Sequence, residues 1–221
     1  MKISGIIKTS LIDYPGNIVT SIFTQGCNFK CPYCHNPDLI PVNSKNKEYM
    51  NLNYFWDFLK KRKKFLDGIV ITGGEPTLQS DLVEFIEKIK SKNFKVKLDT
   101  NGAKPEIVRE LINNELINYI AMDIKSSLPK YNNYSNDNEI GNKIIDTVNF
   151  IKNSNIDYEF RTTVAPTLHD KQDIEDIGQL ISGADKFTIQ NFRSERTYNK
   201  KFENKLPITD YKLKRFKKIL K

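Results

Sequence analysis

The stretch Gly68-Ile69-Val70-Ile71-Thr72-Gly73-Gly74-Glu75-Pro76 changes character in its middle. Its first half is a short apolar run, the pattern of a strand buried on both faces in a parallel sheet. Its second half is a turn of two glycines, an acid and a proline. A helix reads on either side of it. Before it, Leu52, Phe55, Trp56, Leu59 and Leu66 share one helical face; after it, Leu78, Leu82, Phe85, Ile86 and Ile89 make the next stripe. A strand set between two such helices is the repeating unit of right-handed βαβ crossovers.

The alternation extends in both directions. Strands read at 18–23, 94–99, 118–123, 158–164 and 186–190, and helices at 105–113, 140–153 and 174–182. Pro105 suits a first helical turn. Six strand–helix units imply a parallel sheet but are too few for a closed TIM barrel. The fold expected is α/β, a partial TIM-like (β/α)6 barrel. It would form one domain over residues 1–221, with a short N-terminal extension at 1–17 and a basic C-terminal helix at about 209–221. Segment 126–138, rich in Asn, Tyr, Ser and Lys, reads as one long loop.

In parallel α/β sheets, ligands gather beyond the carboxyl ends of the strands. Here the cysteines follow the first strand, Gly73-Gly74-Glu75-Pro76 the second, and Asp99-Thr100-Asn101-Gly102 the third. Asp123-Ile124-Lys125 follows the fourth, Val164-Ala165-Pro166 the fifth and Gln190-Asn191-Phe192-Arg193 the sixth. Each small polar cluster falls on the same rim.

The bulk numbers narrow the class. No apolar run approaches the ~18 residues of a membrane helix, and the start of the chain lacks the pattern of a signal peptide, so a cytoplasmic protein is expected. The net charge of +8 concentrates in Lys60–Lys64 and in the tail from Lys212 to Lys221. Both runs read as solvated helix faces, and no nucleic-acid module surrounds them. The three cysteines all lie between Gly26 and His35. An odd number so closely spaced argues against a disulfide framework and for metal ligation. Thiolates suit an iron–sulfur cluster, zinc or Cu(I). Structural zinc normally takes four protein ligands, whereas Cys27-x3-Cys31-x2-Cys34 supplies three, and His35 is too close in the chain to serve easily as a fourth. Three thiolates on a cubane leave one iron open to a further ligand.

Cys27-Asn28-Phe29-Lys30-Cys31-Pro32-Tyr33-Cys34 resembles the CxxxCxxC signature of the radical S-adenosylmethionine (SAM) superfamily, and Gly73-Gly74-Glu75-Pro76 resembles its second signature. The resemblance implies a [4Fe-4S] cluster on Cys27, Cys31 and Cys34 whose open iron chelates SAM. It places Tyr33 against the adenine, the backbone of Cys34 and His35 at the base edge, and Gly73, Gly74 and Glu75 by the methionine amine. Glu75 also reads as a rim residue supporting its own turn. Gly5 to Gly16 looks like the opening of the activating enzymes of glycyl radical enzymes. Phe23-Thr24-Gln25-Gly26 and His35-Asn36-Pro37 look most like the anaerobic ribonucleotide reductase activating group. By analogy with pyruvate formate-lyase activating enzymes, Asp99, Thr100 and Asp123 would hold a monovalent cation near the SAM carboxylate. Asp99, Asn101, Asp123 and Lys125 would then border SAM. Where those enzymes place a SAM-contacting His, this chain has Arg193, which would face SAM or the partner. Asp13-Tyr14-Pro15-Gly16 reads first as a turn, and the isolated His169 as structural.

Three functions are thereby opened. The first is an activase that takes a hydrogen atom from a glycine of a partner enzyme, fed by a low-potential donor such as flavodoxin or ferredoxin. The second is a radical SAM enzyme acting on a small molecule. The third is a zinc-binding module. With no cysteine outside the cluster loop, auxiliary clusters of the kind peptide maturases carry are excluded.

Overall fold

The computed structural model describes residues 1–42 and 48–219. Among these, seven strands form one sheet in the order β1 to β7. They are β1 (Ile3–Ser10), β2 (Val19–Thr24), β3 (Gly68–Gly73), β4 (Lys95–Thr100), β5 (Tyr119–Asp123), β6 (Asp157–Val164) and β7 (Phe187–Asn191). Strands β2 to β7 run parallel, joined in turn by α1 (Leu52–Arg62), α2 (Leu82–Lys90), α3 (Pro105–Asn113), α4 (Ile140–Lys152) and α5 (Lys171–Leu180). The helix α6 (Asp210–Ile219) follows β7, and the last two residues of the expected basic helix lie outside the described residues. This is the expected partial barrel, with β1 and β7 as its edges.

Two expectations are corrected. Residues 1–17 are not a mere extension, because Ile3–Ser10 is an antiparallel strand against β2, with Ile6 opposite Ile22 and Ser10 opposite Val19. Segment 126–138 is not one loop either. A short 3-10 helix, Leu128–Asn133, begins with Pro129 in its first turn and buries Tyr131 completely. In addition, α5 starts three residues earlier than its apolar stripe suggests. Asp170 accepts from the Asp173 backbone while Asp173 accepts from that of Asp170, a reciprocal cap that satisfies two free helix-end donors.

The two faces of the sheet differ in chemistry. Toward the helices, Ile69, Ile71, Val96, Leu98, Ile120 and Phe160 are fully buried. Each contributes on the order of 1.5–3 kcal/mol of burial. The inner face holds a small apolar patch of Val19, Val70, Tyr119 and Ala121, on which Tyr14 packs with its ring 5.5 Å from that of Tyr119. Apart from Ile7 and Phe23 toward the β1 edge, the rest of that face is largely polar, with Ser21, Lys97, Asp99, Glu159 and Arg161 in alternating strand positions. The turn after β1 is tied to it, since Ser21 Oγ donates to Asp13 Oδ2 at 2.6 Å and Lys97 Nζ to the Asp13 carbonyl at 2.7 Å.

Candidate active site

Parallel strands deliver their carboxyl ends to one rim, and the polar clusters meet there around a cavity of about 290 Å³. The cysteine loop follows β2. Its start is fixed by Gly26 N donating to Leu39 O and Cys27 N to Ile40 O, and its end by Cys34 N donating to Cys31 O. Gln25, buried beneath, donates to the carbonyls of Asp38 and Pro41. All three thiols line the cavity, and none is in a disulfide. Burial, together with Glu75, pushes the Cys27 thiol up to about 12, and burial does the same for Cys31. Cys34 is raised too, again by burial. Such thiols stay protonated at neutral pH until a metal displaces the proton.

The loop after β3 is pressed against the cysteine loop. Gly74 N donates to Thr24 O at 3.0 Å and Glu75 N to Gly26 O at 2.7 Å. Gly73 has φ +123°, and a Cβ there would meet Thr24 N at 2.2 Å, so only glycine fits. The Glu75 carboxylate is 1% exposed. It accepts from Thr77 N, Thr77 Oγ1, Thr100 Oγ1 and Asn101 N at 2.6–3.1 Å. Asn101 passes the connection on, its Nδ2 donating to Asn28 Oδ1 at 2.8 Å. One buried acid thus locks three rim loops together.

Across the cavity lies a chain of alternating charge. Lys97 Nζ is 2.9 Å from Asp99 Oδ1, and Arg161 reaches Asp99 Oδ2 at 3.4 Å and Asp123 Oδ1 at 2.9 Å. Lys125 Nζ ends the chain 3.0 Å from Asp123 Oδ2. Burial opposes ionisation of Asp123, but Arg161 and Lys125 outweigh it and hold the carboxyl well below the usual carboxylate range. Burial likewise opposes the charge on Lys125, and Asp123 more than restores it. Three cations thus share two carboxylates on this side of the cavity, while the Glu75 carboxylate lies on the side of Cys27.

The profile of the Radical SAM superfamily matches residues 21–182, from β2 to just past α5. The chain belongs to the radical SAM superfamily. It is 41% identical over 211 residues to the MJ1227 protein of Methanocaldococcus jannaschii, provisionally described as a glycyl-radical enzyme activating enzyme, covering 93% of this chain and 85% of that one. It is 28% identical to the pyruvate formate-lyase-activating enzyme of Listeria monocytogenes, covering 81% and 74%. Among solved structures, TYW1 with a lysine-pyruvate adduct superposes with TM-score 0.65 at 15% identity, covering 91% of this chain and 72% of that one. SuiB of Streptococcus suis bound to its precursor peptide superposes with TM-score 0.66 at 15% identity, covering 90% and 44%. These likenesses in structure concern the fold alone.

Three thiols line the cavity, one fewer than structural zinc normally takes and the number that leaves one iron of a cubane open. Among the described residues, no three His, Cys, Asp or Glu side chains are already gathered closely enough to hold a metal ion. The His35 ring stacks on Phe192, centroids 6.3 Å apart, and its Nδ1 lies 3.4 Å from the Glu195 carbonyl. Of the residues expected at SAM, Tyr33, Cys34, His35, Gly73, Gly74 and Glu75 line the cavity, as do Asp99, Asn101, Asp123 and Lys125. Tyr33 is also engaged from behind, its ring 6.4 Å from Tyr134 and 6.1 Å from His169. Arg193 stands apart, on an adjoining cavity of about 850 Å³ that shares His35, Thr163 and Gln190 with the first. The Thr100 hydroxyl is turned to Glu75, away from Asp99 and Asp123. Sequence reasoning missed Arg161 and Lys97. The strict alternation of β6, with Tyr158, Phe160 and Thr162 buried and Glu159, Arg161 and Thr163 opposite, carried the signal for Arg161.

Proposed function

We propose that this radical SAM enzyme is an activase: it holds a [4Fe-4S] cluster on Cys27, Cys31 and Cys34, binds SAM in the rim cavity, and generates a glycyl radical on a partner enzyme, an anaerobic ribonucleoside-triphosphate reductase. The observation that carries the reading is the convergence of residues from six strand ends on one cavity, in a chain that matches an activating-enzyme relative over nearly all its length. When bound, the cluster and SAM would supply a 5′-deoxyadenosyl radical able to take a hydrogen atom from a backbone glycine. The chain's own residues hold the components in register. Glu75 and Asn101 fix the cysteine loop against the glycine turn, and Lys125 offers its ammonium to the SAM carboxylate or ribose region. The adjoining cavity, walled by Asn191, Phe192, Arg193 and Pro207, gives a protein loop a way in, and Arg193 is assigned to that loop rather than to SAM.

The monovalent cation implied at Asp99, Thr100 and Asp123 has Arg161, Lys97 and Lys125 as competitors for the same carboxylates. We assign it a secondary part, tested by SAM binding in potassium against a large organic cation. The activase reading is tested by anaerobic incubation of the iron-loaded protein with SAM, a low-potential donor such as flavodoxin, ferredoxin or dithionite, and a candidate reductase. A glycyl doublet in electron paramagnetic resonance of the partner is expected. SAM cleavage that never yields this signal on any such partner would favour a small-molecule substrate, and zinc-loaded protein that refuses a cluster would refute the reading outright.

A further inference from the structure

His169 lies behind the cavity, 2% exposed, on the loop between β6 and α5. Ala165 N–H donates to its Nδ1 at 3.0 Å, and its Nε2 lies 2.9 Å from the Lys125 carbonyl. Nδ1 also sits 3.4 Å from Ala165 O. The two shorter contacts demand one tautomer. Nδ1 must be bare to accept from Ala165, so the proton is on Nε2 and is donated to Lys125. The opposite tautomer would set a lone pair against the Lys125 oxygen and an N–H against the Ala165 N–H.

Lys125 needs such a hold. The ladder of β5 with β6 ends at Asp123 opposite Arg161, so the Lys125 peptide lies beyond the sheet. Its N–H donates to the Tyr131 hydroxyl at 3.1 Å, and its carbonyl accepts from His169 and, at 3.5 Å, from the Tyr33 hydroxyl. Side chains from the 3-10 turn, the β6–α5 loop and the cysteine loop thus fix the peptide groups on both sides of the Lys125 Cα, and with them the direction in which the Lys125 ammonium projects into the cavity.

We propose that His169 is a positioning residue: through the Lys125 carbonyl it sets the Lys125 ammonium where the cavity receives SAM. The proposal rests on the reading of the cavity as a SAM site. Two substitutions separate its two bonds. His169→Gln places an amide N–H near the Nε2 position and keeps the bond to Lys125, whereas His169→Asn places its oxygen near Nδ1 and keeps only the bond to Ala165. Equilibrium binding of SAM to the iron-loaded protein should weaken by about 10-fold in the Asn variant, the scale on which loss of an orienting partner acts. The Gln variant should stay within about 3-fold of the parent, with iron content unchanged in both. In a Lys125→Met background the two variants should bind SAM alike, because the effect has lost its carrier. Equal SAM affinity of the Asn and Gln variants, or a difference that persists without Lys125, would overturn the proposal and leave His169 a purely structural residue. Parent protein that takes up iron but no SAM would instead overturn the reading of the cavity, and the proposal with it.

Discussion

Replacing Gly74 by Ala puts a methyl group among backbone atoms. The new Cβ would lie 2.1 Å from Gly26 O, 2.7 Å from Gly26 C and 2.9 Å from Leu39 O. Even close carbon–oxygen contacts sit at about 3.3 Å, so the two loops must part by about 1 Å. The atoms in the way are themselves committed, Gly26 O to Glu75 N and Leu39 O to Gly26 N. Overpacking of this kind costs about 1–3 kcal/mol, and loss of one backbone bond adds about 1 kcal/mol. A total of about 2–4 kcal/mol lowers the Tm of a chain this size by roughly 5–15 °C. Because Gly26 adjoins Cys27, the same shift should reduce iron uptake. Calorimetry of the cluster-free protein and iron analysis after reconstitution read the two effects. Gly141→Ala is the control: nothing lies within 4 Å of its Cβ in α4, and it should gain up to about 1 kcal/mol. A Gly74→Ala protein that melts with the parent and binds the same iron would refute the account of the loop contact.

Glu75→Gln turns one acceptor oxygen into a donor facing either Asn101 N–H or the Thr77 and Thr100 donors, so urea unfolding should show a loss of about 1–3 kcal/mol. A change under about 0.5 kcal/mol would mean that the rim loops do not depend on this acid. Arg161→Met strips the shared cation from Asp99 and Asp123. With Lys97 and Lys125 still in place, the loss should fall at the low end of the range for a broken buried pair, about 3 kcal/mol by denaturant titration. Burial lowers the His169 pKa below its ordinary value, although its bonds to Lys125 and Ala165 oppose this. The folded state therefore binds its proton less readily than the unfolded chain. The stability this residue contributes is present above the ordinary histidine range, about pH 6.5, and is lost as pH falls through the lowered folded pKa. His169→Gln should flatten that part of the stability–pH curve, and an unchanged slope would show that another group carries it.

What could be read from the chain follows from where the energy of each element lies. Strands β3 and β5 bury apolar residues on both faces, so their apolar runs stand out against helices that carry a single stripe. Once those strands are placed, the polar clusters at their ends must share a rim, which is why ten of the eleven residues expected at SAM line one cavity. Strand β1 has no such signature. As an edge it pairs on one side only, Gly5 interrupts its run, and Lys8 and Thr9 are exposed where an inner strand would be apolar. The turn Leu128–Asn133 was hidden for a related reason, since its structure depends on Tyr131 packing against Phe29 of the cysteine loop, a contact with no local trace. Arg161 and Lys97 belong to a third kind. A charged residue within a strand reads as solvent-facing, and its true direction depends on the inner face of an open barrel being polar. That polarity has a consequence: Lys97, Arg161 and Lys125 are held by Asp99 and Asp123, with Glu159 also acting on Arg161, so the direction of each cation is set by a neighbouring carboxylate on the inner face rather than by solvent.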